Sequence, residues 1–245
     1  MSHPPADDAA RADRWKSQYE EIASLAGGLA HEIRNPLSTI RLNLELLSED
    51  LGMGEAARDQ RLRRKVDTVQ RECQHLERIL EDFLEFARAH ALRTSRVQLN
   101  DEVRQFLDFF QPQAADCGVE LSPHFAGQLP DVELDTRLFQ QVLLNLSRNA
   151  LQAMPDGGRL EFLTCERDGR VLLEIIDNGC GMDQPTQDRM FDTFFSTKTG
   201  GSGLGLPTVR RIIEAHGGEI TCESAVRKGT RFRIALPAAP HQADE

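Results

Sequence analysis

At 245 residues, with 29 basic and 39 acidic side chains and a formal net charge of −10, the chain is long enough for two modest domains. Its charge has the wrong sign for nucleic acid or anionic lipid as the main partner. No apolar run approaches the roughly 20 residues of a membrane helix, and Met1-Ser-His-Pro-Pro lacks the basic-then-apolar order of a signal peptide, so the expectation is a cytoplasmic protein without membrane insertion. Cys73, Cys117, Cys165, Cys180 and Cys222 are scattered and never spaced Cys-x-x-Cys, which points to neither a disulfide framework nor a zinc site.

Residues 1–20 read as an N-terminal lead-in. Ile22, Leu25, Leu29 and Ile33, then Ile40, Leu44, Leu47 and Leu51, recur at three- and four-residue steps, which predicts a long amphipathic helix bent at Pro36. Beyond Gly52-Met-Gly54, the positions Leu62, Val66, Val69, Cys73, Leu76, Leu80, Phe83 and Ala87 form a heptad stripe. Two such helices make an antiparallel hairpin whose apolar faces exceed what one hairpin covers, so pairing of two copies into a four-helix bundle, a homodimer, is expected for a domain spanning 21–92.

The polar, basic stretch from Arg88 to Arg96 marks a linker, and a second domain spans 93–237. Asn100 reads as the cap of a helix running to about Gly118, followed by strands Val119–Phe125 and Asp131–Leu134. Thr136 to Met154 reads as a helix stopped by Pro155-Asp-Gly-Gly158. Arg159–Arg167 and Arg170–Asp177 flank Asp168-Gly169, a hairpin signal. A glycine-rich loop, a helix to about His216 and a strand pair at Glu219–Ser224 and Thr230–Leu236 complete an α/β sandwich with antiparallel pairing. Residues 1–10 and the tail 238–245 read as disordered.

Several positions on these elements carry chemistry. His31 lies two residues from both Leu29 and Ile33, roughly 200° around the helix from each, so its imidazole should face solvent. Asn35 is one turn on, on the same face. On the helix from Thr136, Phe139, Leu143, Leu146 and Ala150 form the buried stripe, and Asn145 and Asn149 stack one turn apart on an adjacent face. Parity along the strand puts the Asp177 carboxylate on the face of Val171, Leu173 and Ile175, where it needs donors. The glycines of Gly201-Ser-Gly-Leu-Gly205 open a helix whose first amides suit phosphate.

Taken in order, Leu29-Ala-His-Glu-Ile-Arg-Asn-Pro-Leu37, Asn145-Leu-Ser-Arg-Asn-Ala-Leu-Gln-Ala153, Asp177-Asn-Gly-Cys-Gly181, Phe191 to Leu206 and Gly229-Thr230 resemble the boxes of two-component sensor histidine kinases, with a lean towards the soluble nitrogen-regulation type. The resemblance extends over roughly residues 20 to 237 and implies a phosphoacceptor hairpin followed by an ATP-binding domain of the GHKL type. It implies that His31 accepts a phosphoryl group from ATP, with Glu32 taking a ring proton so that the other nitrogen can attack. Asn35 would orient a water that dephosphorylates the partner; a cap at the bend before Pro36 is the other reading.

In the nucleotide domain the resemblance implies a site of Asn145, Asn149, Asp177, Gly179, Gly181, Phe195, Lys198, Gly201, Gly203, Leu204, Gly205 and Thr230. Asn149 would hold Mg²⁺ and Asp177 would accept the adenine amino group, with Gly179 and Gly181 letting backbone approach the base. Lys198 would neutralise phosphate charge, Phe195 would pin a mobile lid, and Thr230 would lie near adenine through a water. The implied partner is the receiver domain of a response regulator. Residues 1–20 read as a helix lead-in with no room for a folded sensor before His31, so input is expected through a binding partner such as a separate sensor protein, through another chain, or through the N-terminal helix itself. Two rival readings are a GHKL-type ATPase and a non-catalytic dimeric scaffold. Asn145 argues against the first, since those ATPases place a glutamate there as general base and an amide takes no proton.

Overall fold

Apolar residues recur at helical spacing in the N-terminal third, and those within 32–47 and 55–87 lie on two helices. The computed structural model describes residues 29–30, 32–47, 55–87, 92–198 and 201–240. These fall into two units, one drawn from Met1–Ala89 with Thr193–Leu204 and the other from His90–Asp192 with Gly205–Glu245.

In the first unit, α1 is helical over residues 32–47 and α2 spans Glu55–Ala87. Lys65 Nζ donates to the Leu46 carbonyl at 2.9 Å, tying the two helices together. Helix α1 continues through a buried Pro36. The hydroxyls of Ser38 and Thr39 donate back to the carbonyls of Arg34 and Asn35 at 2.8 and 3.3 Å, the back-bonding that accompanies bent helices. Among the described side chains of α2, Ile79 and Phe86 are buried, whereas the heptad positions Val66 and Leu80 remain 44% and 49% exposed. The intrachain seam is thus offset from the stripe read in sequence. Phe86 and Leu204 are buried together, with Phe83 and Phe194 packed against them. The Ser202 hydroxyl donates to the Asp82 carboxylate within the same unit.

The second unit is built on a five-stranded sheet in the order β2-β4-β5-β7-β6. Its strands are β2 (Val119–His124), β4 (Gly158–Arg167), β5 (Arg170–Asp177), β6 (Glu219–Ser224) and β7 (Thr230–Pro237). Alternate residues such as Phe162, Leu173 and Ile234 share a core with Phe106 and Phe110 of α3 (Leu99–Asp116), Phe139 and Leu143 of α4 (Thr136–Ala153), and Val209 and Ile213 of α6 (Gly205–Ala215). Asp168 (φ 53°) and Gly169 (φ 70°) both take the left-handed conformation that the tight β4–β5 turn requires.

Four expectations are corrected. β2 pairs with β4 in parallel, so the sheet is mixed rather than antiparallel throughout. Part of the presumed linker forms strand β1 (Ser95–Val97), which pairs with β3 (Val132–Leu134) in a separate two-stranded sheet. Asn100 is not a helix cap: Gln98 stands at that position, and Asn100 turns inward. Its amide donates to the Ala126 carbonyl at 2.9 Å and accepts from Thr164 Oγ1 at 2.7 Å, while the Ala126 N–H donates to the same hydroxyl at 3.1 Å. Asn100, Thr164 and Ala126 thus pair with one another inside the fold, where an unpaired polar group would be costly. Finally, Ala238 bridges to Val132 and the Ala239 N–H donates to the Asp131 carbonyl at 2.7 Å, so these two residues are held rather than disordered. Among the described residues, no helix is long and apolar enough to cross a membrane.

Asp135 starts the helix that carries both candidate asparagines. Its carboxylate accepts from the N–H of Leu138 at 3.2 Å and of Arg93 at 3.1 Å. Its own N–H donates to His216 Nε2 at 2.9 Å. Replacing Asp135 by alanine is expected to lower the unfolding free energy by about 1–2 kcal/mol. Burial raises the Asp135 pKa, but the two backbone donors together with the nearby charges of Arg137 and His216 outweigh it and hold the pKa below the usual carboxylate value. The group's contribution is therefore complete above the ordinary carboxylate range and is lost as pH falls through the depressed folded pKa. Denaturant titrations of both proteins check this, since a gap between them that is unchanged from about pH 7 to about pH 3 would contradict it.

Candidate functional site

Helix α4 buries Leu143, Leu146 and Ala150 and leaves Asn145 and Asn149 half-buried one turn apart. Gly205 opens α6 next to them: a Cβ built there would come to 4.0 Å from the Asn145 amide. An amide oxygen is a hard donor of the kind Mg²⁺ accepts, with phosphate and water completing its shell. Among the described residues, no group of three or more His, Cys, Asp or Glu could hold a metal ion.

Asp177 ends β5 on the core side and is 6% exposed, as its parity with Val171, Leu173 and Ile175 requires. Its Oδ1 accepts from the N–H of Gly179 at 2.9 Å and of Thr230 at 3.2 Å. The loop that follows is fastened on both sides. The Cys180 N–H donates to the Ala153 carbonyl at the end of α4 at 2.9 Å, and the Arg227 N–H donates to the Cys180 carbonyl at 2.7 Å. These contacts give the glycines a reason of their own. A Cβ on Gly179 would lie 2.6 Å from the Ala153 oxygen, and one on Gly181, whose φ is +65°, would fall on the Ala225 carbonyl.

Asp177 on β5, Thr230 on β7 and Ser224 on β6 are successive cross-strand partners, so their side chains share one face in a row. Beside this row, burial together with the carboxylates of Asp177 and Glu223 pushes the Cys222 thiol up to about 12. It is protonated at neutral pH and no nucleophile.

The remaining candidates fall elsewhere. Phe195, Lys198, Gly201, Gly203 and Leu204 belong to the segment that groups with the helical unit. There Leu204 is buried and Lys198 is exposed. Within that segment the ring packed against the Phe86–Leu204 cluster is that of Phe194, one residue before Phe195, and Gly203 sits tightly against the Phe194 backbone with φ +67°. On α1, Glu32 is half-buried and Asn35 is exposed, while His31 lies outside the described residues. Ser224 and Gln187, the latter on a short helix α5 (Gln184–Arg189), escaped sequence reasoning, and no spacing pattern marks either one.

A helical unit followed by a mixed-sheet domain, with paired amides on one helix and a buried carboxylate at a strand end, defines a nucleotide-binding domain joined to a helical domain. A family model described as the His Kinase A (phospho-acceptor) domain matches residues 22–92, and one described as the histidine kinase-, DNA gyrase B- and HSP90-like ATPase matches residues 134–240. The chain belongs to the histidine kinase family. The signal transduction histidine-protein kinase AtoS of Escherichia coli (strain K12) is 33% identical over 231 residues, covering 93% of this chain and 37% of AtoS. The sensor histidine kinase ZraS of Klebsiella oxytoca is 35% identical over 231 residues, covering 94% of this chain and 49% of ZraS. The chain thus spans less than half the length of either relative. The catalytic domain of histidine kinase ThkA superposes with a TM-score of 0.54 at 27% identity, covering 60% of this chain and 97% of that one. ThkA in complex with the response regulator protein TrrA shares the fold with a TM-score of 0.75 at 23% identity, covering 95% of this chain and 67% of ThkA.

Proposed function

We propose that this chain transfers the γ-phosphoryl group of ATP to His31 and passes it on to an aspartate of a response-regulator receiver domain. The observation that carries the nucleotide half of this reading is Asp177, a nearly buried carboxylate clamped by two backbone N–H groups in the same unit as Asn145 and Asn149. A carboxylate so placed is suited to an exocyclic amino group, and Asp177 is the group that selects adenine. Bound Mg²⁺, held by the Asn149 amide oxygen, would neutralise charge on the triphosphate.

In the transfer, one imidazole nitrogen of His31 forms the N–P bond while the bond from the γ-phosphorus to the ADP oxygen breaks. The proton on the other ring nitrogen is held by Glu32, and ADP leaves with the electron pair. Lys198 and the glycines Gly201, Gly203 and Gly205, with Leu204 and Phe195, close over the phosphates. Thr230 stands beside the base. Asn35 directs water at the phosphorylated receiver, which makes the chain a phosphatase as well. With ATP as donor the site of action is the cytoplasm.

The acting form is a homodimer. The apolar side chains of Leu37, Leu42, Leu44, Val66, Leu80 and Leu84 are all exposed on the two helices, and a second hairpin would cover them.

The test is incubation of the purified chain with γ-labelled ATP and Mg²⁺, followed by acid or alkali. A label that survives alkali and is lost in acid is the expected result. Release of free phosphate without labelled protein would replace the kinase reading by that of an ATPase.

A further inference from the structure

The hydroxyl hydrogens at the end of the sheet can be assigned by counting. Ser224 Oγ has three neighbours: the Met182 N–H donates to it at 2.9 Å, it donates to the Gly229 carbonyl at 2.9 Å, and Thr230 Oγ1 lies at 3.1 Å. A serine hydroxyl owns one hydrogen and two lone pairs. The carbonyl can only accept, so the Ser224 hydrogen is spent on Gly229, one lone pair is taken by Met182, and the other remains for Thr230. Thr230 must therefore be the donor of that pair. Its only hydrogen is turned towards Ser224, away from Asp177, and its oxygen offers lone pairs alone to any ligand beside that carboxylate.

Ser224 is itself held by an unusual clamp. Gln187 Nε2 donates to the Ser224 carbonyl at 3.0 Å and to the Met182 carbonyl at 3.2 Å, and the Ser224 N–H donates to Gln187 Oε1 at 3.3 Å. One side-chain amide thus extends the pairing at the end of β6 and ties the loop after Asp177 to it. α5 is pinned in turn by Asp183, which accepts from the Thr186 N–H at 3.0 Å. The Thr186 hydrogen bonds hold the Asp183 pKa below its usual value.

We infer that Ser224, clamped by Gln187, is a specificity-positioning residue: by taking the Thr230 hydroxyl hydrogen it makes the Asp177–Thr230 edge an acceptor-only surface that admits a 6-aminopurine and rejects a 6-oxopurine. This rests on the adenine site proposed at Asp177. The logic is one of matching polarity. An adenine amino group meets acceptors, whereas the 6-oxo oxygen of guanine or hypoxanthine meets only lone pairs and leaves buried groups unpaired.

The experiment is equilibrium binding of ATP and GTP to the full chain, comparing wild type with Ser224→Ala, Thr230→Val, the double variant, Gln187→Leu and Asp177→Asn. Freed from Ser224, the Thr230 hydroxyl can rotate and donate. Ser224→Ala is expected to reduce the ATP-over-GTP preference by about tenfold, the scale of one hydrogen bond to a ligand. The double variant should lose no more than Thr230→Val alone, because the two side chains act as one unit. Gln187→Leu leaves both hydroxyls present and tests the clamp even if Ser224→Ala does not fold; a loss of about threefold in preference is expected. An unchanged preference in Gln187→Leu, or additive losses in the double variant, would overturn the inference. Asp177→Asn separates this result from the adenine reading. ATP binding that survives in Asp177→Asn defeats the adenine site itself, whereas its loss there combined with a wild-type preference in Ser224→Ala defeats only the role of Ser224.

Discussion

A His31→Gln variant incubated with γ-labelled ATP and Mg²⁺ retains no alkali-stable label, a fall of at least about 1,000-fold, while its affinity for ATP stays at the wild-type value. The size follows from removing the nucleophile outright, since positioning and charge neutralisation have nothing to act on without it. Retention of nucleotide binding is expected because Asn149, Asp177 and Thr230 all belong to the other unit, built on its own sheet and core. Labelled His31→Gln protein would move the acceptor to another side chain. Unlabelled protein that has also lost ATP affinity would mean that the histidine helix takes part in forming the nucleotide site.

The second large effect is expected at Asn149. The half-buried amide on α4 offers an oxygen without adding charge, so a bound cation can spend its charge on the triphosphate. Asn149→Asp places a full negative charge beside those phosphates. Autophosphorylation is expected to fall at least about 100-fold, measured as the initial rate of labelling at saturating ATP and Mg²⁺. The fold should be intact, because the core of α4 is made by Phe139, Leu143, Leu146 and Ala150 and not by the amides. A wild-type rate in Asn149→Asp would remove the assigned Mg²⁺ role.

What was legible in the sequence was whatever a short window determines. The alternation Val171, Leu173, Ile175 placed Asp177 on the core face, where its carboxylate is buried. The helical spacing of Phe139, Leu143, Leu146 and Ala150 set Asn145 and Asn149 aside together, and Asp168-Gly169 marked a turn whose two residues both have positive φ. The features that were not legible depend on distant partners. Ser95–Val97 is polar and only three residues long, and is a strand because Val132–Leu134 pairs with it. Asn100 looks like a cap until Thr164 and Ala126 are brought to it across the fold. The parallel partner of Val119–His124 is fixed by where β4 arrives, not by the residues of β2. Ser224 and Gln187 carry no motif, and their importance lies in which hydrogen each oxygen has left to give.

The strand order of the sheet also bears on how the second unit is made. β7 is last in sequence but lies between β5 and β6, and it supplies the backbone N–H of Thr230 to Asp177. On a ribosome, β4 and β5 can pair as a hairpin as soon as they emerge, but β5 keeps an open edge until residues 230–237 have been synthesised. Pairings so far apart in sequence are slow to form, and an unpaired edge exposed in the meantime invites association with other chains. The domain therefore completes its fold only after β7 has been translated. A nascent chain arrested before Thr230 is expected to be protease-sensitive and to bind chaperones, however well its earlier strands are formed.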